Sequence, residues 1–191
     1  MSYKQVEVGD LAPMVTFRMR RGDVTPGTEG CGFDGEWVET NSYELFENKK
    51  VVLFSLPGAF TPTCTTTMVP GFEQMHSLMT DLGVDDVYCI SVNDAFVMNA
   101  WADCLNLKNV KVLPDGNGEF THDVGMLVSK SNLGFGFRSW RYAAVIENGK
   151  FTYLGVEEFD KDDEFSRNDI EEDPYIESTP EKVLEFLRSE S

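Results

Sequence analysis

Histidine is nearly missing from this sequence: His76 and His122 are the only two in 191 residues. The four cysteines, Cys31, Cys64, Cys89 and Cys104, contain no Cys-x-x-Cys pair. A structural zinc site or a dithiol of that spacing is therefore not expected. Basic residues are scarce as well, 16 Lys and Arg against 33 Asp and Glu, for a formal net charge of -17. A surface of that sign repels nucleic acid and anionic membranes. No apolar run approaches the length of a membrane-spanning helix; the longest, Val51 to Phe60, is broken by Ser55, Pro57 and Gly58. The first ten residues lack the apolar stretch of a secretory signal, so a cytoplasmic location is expected. There is no internal repeat and no low-complexity linker. With 41% hydrophobic residues, 14 Phe and 3 Trp, the chain is not disordered, and residues 1–191 are read as a single domain.

What is present alternates between strand and helix patterns. Val15–Arg20 and Glu36–Thr40 read as a hairpin around a Gly-rich loop that carries Cys31. Val51–Leu56 and Val87–Val92 are short β-rich runs suited to buried central strands. Phe72–Leu82 repeats apolar residues with helical spacing, and Asn93 or Asp94 can cap a helix over Ala95–Leu105. Val110–Leu113 is a short strand stopped by Pro-Asp-Gly. Tyr142–Glu147 and Phe151–Val156 flank Asn148-Gly149, the preferred pair for a tight hairpin turn. Ser178-Thr179-Pro180-Glu181 opens a last helix. This order implies an α/β layer fold with a mixed sheet. Residues 157–177 hold eleven acids against Lys161 and Arg167, a local charge of -9 within the total of -17. The plain reading of this segment is a solvated loop; the sharper one is a docking surface for a basic partner.

One segment carries chemistry. Pro57-Gly-Ala-Phe-Thr61-Pro-Thr-Cys64 follows a strand and precedes a helix. Cys64 is expected in the first helical turn, where unpaired amides and the helix dipole favour a thiolate. Thr61 can bring its hydroxyl to the same pocket. Pro57 and Pro62 stiffen the loop and shield the sulfur, and Pro70 is expected to bend the helix. Far along the chain, Arg138 and Arg141 stand at the entry to a strand. An arginine beside a thiolate favours its charge and can polarise a peroxide oxygen.

Pro57-x-x-x-Thr61-x-x-Cys64 resembles the peroxiredoxin signature. Ser91–Trp101 and Pro114–Phe120 look like the type-5 subfamily. Leu133–Tyr142 is similar to the peroxiredoxin domain of hybrid peroxiredoxin–glutaredoxin proteins. The resemblance implies a thioredoxin-like fold: a central mixed sheet flanked by helices, here with an N-terminal β-hairpin extension. It implies reduction of hydrogen peroxide and organic hydroperoxides with no cofactor. It makes Cys64 the peroxidatic cysteine, Thr61 a hydrogen-bond partner of thiolate and peroxide, Pro57 a shield and Arg141 the site's arginine. Arg138 has no equally firm counterpart. A homodimer across the active-site side is also implied, with Phe60, Phe96 and Trp140 as candidates to line a pocket or interface.

The chain departs from the type-5 pattern in having no cysteine after Cys104. A one-cysteine cycle follows, recycled by glutathione with a separate glutaredoxin, or by thioredoxin, since no glutaredoxin domain follows in this sequence. Cys89 reads as a small core residue, while Cys31 and Cys104 are the alternatives for a resolving thiol. A peroxide sensor or thiol relay with little turnover is the competing reading. A non-enzymatic binding module and a cysteine protease are weaker ones.

Overall fold

The computed structural model describes residues 4–22, 35–158 and 167–190. Five strands form the central sheet in the order β5-β4-β3-β8-β9. These are β3 (Lys50–Ser55), β4 (Asp86–Ser91), β5 (Lys111–Pro114), β8 (Tyr142–Glu147) and β9 (Lys150–Val156). β3, β4 and β5 run parallel, whereas β8 is antiparallel to both β3 and β9, so the sheet is mixed as expected. Helices α2 (Val69–Asp81), α3 (Ala95–Cys104) and α5 (Pro180–Ser189) complete the main framework.

Both faces of the sheet are covered, which is why β3 is buried at Val51 through Ser55 rather than alternating with polar residues. Alternate side chains still divide by face. Val52, Phe54, Cys89, Ala143 and Val145 pack with Phe72, Trp101, Val183 and Leu187 from the three helices. Val51, Leu53, Ile90, Ala144 and Ile146 pack with Phe17, Phe46 and Phe120 on the other side. Phe54 and Phe72 stack with ring centroids 3.9 Å apart.

The N-terminal hairpin pairs β1 (Thr16–Arg21) with β2 (Glu36–Asn41). Its connecting loop, including Cys31, lies outside the described residues. Asn148 and Gly149 both have positive φ, 49° and 77°, as a tight hairpin turn requires. Three features escape the sequence reading. Helix α1 (Ser42–Phe46) is held by a capping box between Asn41 and Glu44. Helix α4 (Glu119–Asp123) is equally short, and β6 (Leu127–Ser129) with β7 (Phe137–Ser139) forms a second hairpin. Elements of three to five residues are too short to display a period.

The expected solvated loop is found only in part: among the described acids Glu158, Asp169, Glu171 and Glu172 are exposed, but Glu157 is not. Glu157 is only 1% exposed, and its carboxylate accepts N–H bonds from Ile176, Glu177 and Ser178 at 2.8–3.0 Å and the Ser178 hydroxyl at 2.6 Å. This clamp draws residues 176–178 against β9. Gly155 permits the approach: a Cβ there would sit 2.4 Å from the Glu177 carbonyl oxygen.

A second carboxylate clamp joins α2 to the turn before β5. Glu73 accepts backbone N–H bonds from Lys108, Asn109 and Val110 at 2.8–3.1 Å. Partial burial raises its pKa, but these donors outweigh burial and the net shift is downward from 4.5. A carboxyl with a depressed folded pKa stabilises the fold above its unfolded pKa, and that contribution is lost as pH falls through the folded value. Glu73→Gln is therefore expected to lower the thermal midpoint at neutral pH and to make the acid limb below pH 4.5 shallower, as read by circular dichroism melts across pH.

Candidate active site

β3 ends at Ser55, and residues 56–61 lead to helical Pro62 and Thr63 and then to a π turn over Cys64–Met68, which runs directly into α2. Within that turn the Val69 N–H reaches the Cys64 carbonyl. Pro70, in the first turn of α2, has no N–H to give back to the preceding turn. A π turn over Cys64–Met68 stands immediately upstream of this proline-bearing turn.

The loop is held from the neighbouring strand end. The Asn93 side-chain oxygen accepts from the Ala59 N–H at 3.0 Å and from the Ser91 hydroxyl at 2.8 Å. Pro57 is buried. The Thr65 hydroxyl accepts the Trp101 indole N–H at 3.2 Å, tying the turn to α3. Thr61 does not bond the sulfur in this state. Its single hydroxyl proton goes to the Gly58 carbonyl at 2.8 Å, which fixes the loop and leaves the oxygen free to accept.

Cys64 is fully buried, and β8 brings Arg141 to it across 77 residues. Arg141 Nη1 donates to Cys64 Sγ at 3.4 Å and to Met68 Sδ at 3.2 Å. Nη2 pairs with Asp173, and the guanidinium lies 5.6 Å from the Tyr175 ring centroid. Nε is buried and without a hydrogen-bond partner among the described residues. Burial works against the guanidinium's charge. The charges of Cys64 and Asp173 outweigh it and hold Arg141 above the ordinary arginine pKa.

The arrangement is a sulfur in the first turn of a helix, faced by a fixed cation, within the buried apolar cluster that also holds Leu56, Val69 and Phe72. Such a sulfur can act as a nucleophile towards a small polar molecule.

The redoxin family pattern matches residues 7–173. Peroxiredoxin y4vD of Sinorhizobium fredii is 49% identical over 177 residues, which cover 93% of this chain and 89% of that protein. The chain belongs to the peroxiredoxins. It is also 44% identical to the hybrid peroxiredoxin hyPrx5 of Haemophilus influenzae, over 85% of this chain and 63% of the hybrid. Among solved structures, the 1-Cys peroxiredoxin antioxidant protein of Plasmodium falciparum superposes with a TM-score of 0.81 at 37% identity, covering 95% of this chain and 99% of that one. The expected thioredoxin-like peroxiredoxin fold is thus the observed one.

For this peroxiredoxin the other cysteines separate by burial. Cys89 is fully buried on β4, and burial, with the nearby charge of Cys64, pushes its thiol well up. Cys104 is exposed at the end of α3. Trp140 is a core residue, 2% exposed, with Lys130 and Arg167 at 5.4 and 5.6 Å from its ring centroid. Phe60 and Phe96 are exposed. Among the described residues no group of three His, Cys, Asp or Glu side chains could hold a metal ion, and no helix is long and apolar enough to cross a membrane.

Met68, Asp173 and Tyr175 were not singled out by the sequence. Met68 could have been found, because it lies four residues after Cys64 on the same helical face. Asp173 and Tyr175 could not, since long-range contacts, the Glu157 clamp among them, bring their segment to Arg141. Arg138 is separate from the sulfur. It donates to the Val92 carbonyl and so braces the loop that carries Asn93. Arg138→Met is expected to cost about 1 kcal/mol, lowering the midpoint of thermal unfolding by roughly 2–4 °C.

Proposed function

We propose that this peroxiredoxin reduces hydrogen peroxide and organic hydroperoxides through Cys64 in a one-cysteine cycle. The observation that carries the reading is the 3.4 Å contact between Arg141 Nη1 and the buried Cys64 sulfur at the start of the π turn. The Cys64 thiolate attacks one peroxide oxygen. An S–O bond forms as the O–O bond breaks, and the leaving oxygen takes a proton to depart as water or alcohol. The sulfur loses two electrons and becomes a sulfenic acid. Arg141 stabilises the charge that moves onto the departing oxygen, with its Nε–H still unspent. Thr61 accepts a hydrogen bond from the peroxide's O–H with its free lone pair and can rotate its own hydroxyl towards the new oxygen. Pro57 keeps bulk water from the sulfur.

Regeneration uses glutathione. One thiol condenses with the sulfenic acid, releasing water and leaving a mixed disulfide. A glutaredoxin acting in trans then returns Cys64 to the thiol and passes the disulfide to a second glutathione. The kinship with a hybrid peroxiredoxin supports this choice. The burial of Cys89 supports a cycle without a second cysteine. The exposed Phe60 and Phe96, on the loop and helix that frame Cys64, support a homodimer built on that side. Residues 1–191 act as one domain in the cytoplasm.

The test is peroxide-dependent NADPH oxidation with glutathione, glutaredoxin and glutathione reductase, paired with rapid mixing of reduced protein and one equivalent of peroxide. Wild type is expected to turn over steadily and only with glutaredoxin present. Cys64→Ser is expected to consume no peroxide even in the first turnover. Arg141→Lys, which keeps the charge but loses the fork, is expected to slow the first turnover on the order of 10- to 100-fold. Fast single-turnover chemistry without steady consumption would remove glutathione as the reductant and favour a sensor or relay. No first-turnover reaction in wild type would overturn the peroxidase reading.

A further inference from the structure

Arg141 is 1% exposed, so each of its donors needs a partner from the protein or the substrate. Nη1 faces the two sulfurs, and Nη2 faces Asp173, whose side chain is 44% exposed. Asp173 therefore reaches inward from the surface to the far side of the cation that faces Cys64. Its segment is not free to choose that position. The Glu157 carboxylate gathers the amides of Ile176, Glu177 and Ser178, and the Glu157 N–H itself donates to the Arg141 carbonyl at 3.2 Å. One residue thus fixes both the arginine's backbone and the strap bearing its acid. Tyr175, between clamp and acid, covers one face of the guanidinium. At the other end, Asp169 accepts the Asn132 N–H at 3.1 Å and the Ser129 hydroxyl at 3.0 Å, anchoring the strap to the β6–β7 hairpin.

We propose that Asp173 is a positioning residue for the peroxide reaction: it holds Arg141 Nη2 so that Nη1 stays on the Cys64 sulfur and the guanidinium plane stays fixed when peroxide enters. The inference rests on the reading of Cys64 as the peroxide-attacking thiol. A guanidinium is planar, so fixing one terminal nitrogen with a carboxylate sets the direction of all five N–H bonds. Without that anchor the cation stays close to the sulfur, but its donors lose their alignment with the oxygens that separate in the transition state. Asp173 touches neither sulfur nor substrate, so its loss affects the peroxide reaction more than the general nucleophilicity of Cys64.

The test compares Asp173→Ala, Asp173→Asn and Asp173→Glu with wild type and with Glu171→Gln, an exposed neighbour that controls for the change in net charge. Two rates are read on full-length reduced protein: first-turnover oxidation of Cys64 by hydrogen peroxide, and alkylation of Cys64 by iodoacetamide at the same pH. Asp173→Ala is expected to slow the peroxide reaction on the order of tenfold, with alkylation undiminished. Asp173→Asn, which keeps an acceptor, is expected to slow it less, and Asp173→Glu to restore it to within about threefold of wild type, as alignment by a carboxylate predicts. Peroxide rates in Asp173→Ala equal to wild type would overturn the proposal. A parallel fall in both rates, unrescued by Asp173→Glu, would overturn it too, because that pattern reports general damage to the site. Failure of the unmodified chain to take peroxide would instead sink the underlying function, and is recognised without any variant.

Discussion

A permanently charged side chain sealed inside a protein is the constraint around which this molecule is organised. Arg141 cannot give up its proton and is almost fully removed from water. Its desolvation must be offset by partners of opposite charge or by well-placed acceptors. Cys64, Met68, Asp173 and Tyr175 are those partners, and they come from two separate parts of the chain. The same electrostatics that makes the arginine tolerable makes the sulfur useful. A cation held without freedom beside a thiol favours the ionised form and stabilises charge as it moves during reaction.

The sheet supplies the rigidity this needs. β3 and β8 are adjacent antiparallel strands, with Ser55 opposite Tyr142. The end of one and the start of the other therefore lie side by side, and Cys64 and Arg141 project from those two ends. Asn93, just beyond β4, holds the loop between Ala59 and the strand end. Arg138 braces Asn93's loop in turn. Residues that do not bond the sulfur thus set its surroundings by bracing the loops at the strand ends.

Much of this was legible in the sequence. The five strands of the sheet and the three long helices were marked by runs of β-branched residues, helical spacing, caps and the Asn148-Gly149 turn. Cys64 and Arg141 were marked by their motifs, and the structure brings them together. Thr61 was legible as a loop residue, but the direction of its hydroxyl was not, because Gly58 competes for its one proton. Trp140 sat in a conspicuous motif, yet its side chain is enclosed by two cations rather than presented to a ligand. The acidic segment was least legible. Composition gives the charge of Glu157 and Asp173, but whether an acid faces water or a buried arginine depends on contacts spanning 16 to 32 residues. No local pattern encodes such contacts.

The Glu157 clamp also bears on how the molecule is made. Its donors lie at residues 176–178, which leave a ribosome after Arg141 and the whole central sheet. Until they emerge, β8 has no acid to set against Arg141, and the sheet would have to close over an uncompensated cation. That closure is unfavourable, so docking of the C-terminal strap and final packing of the sheet reinforce each other. The frame around Cys64 and Arg141 is completed by residues that follow both, and a nascent chain still short of residue 173 carries the thiol without its finished electrostatic frame.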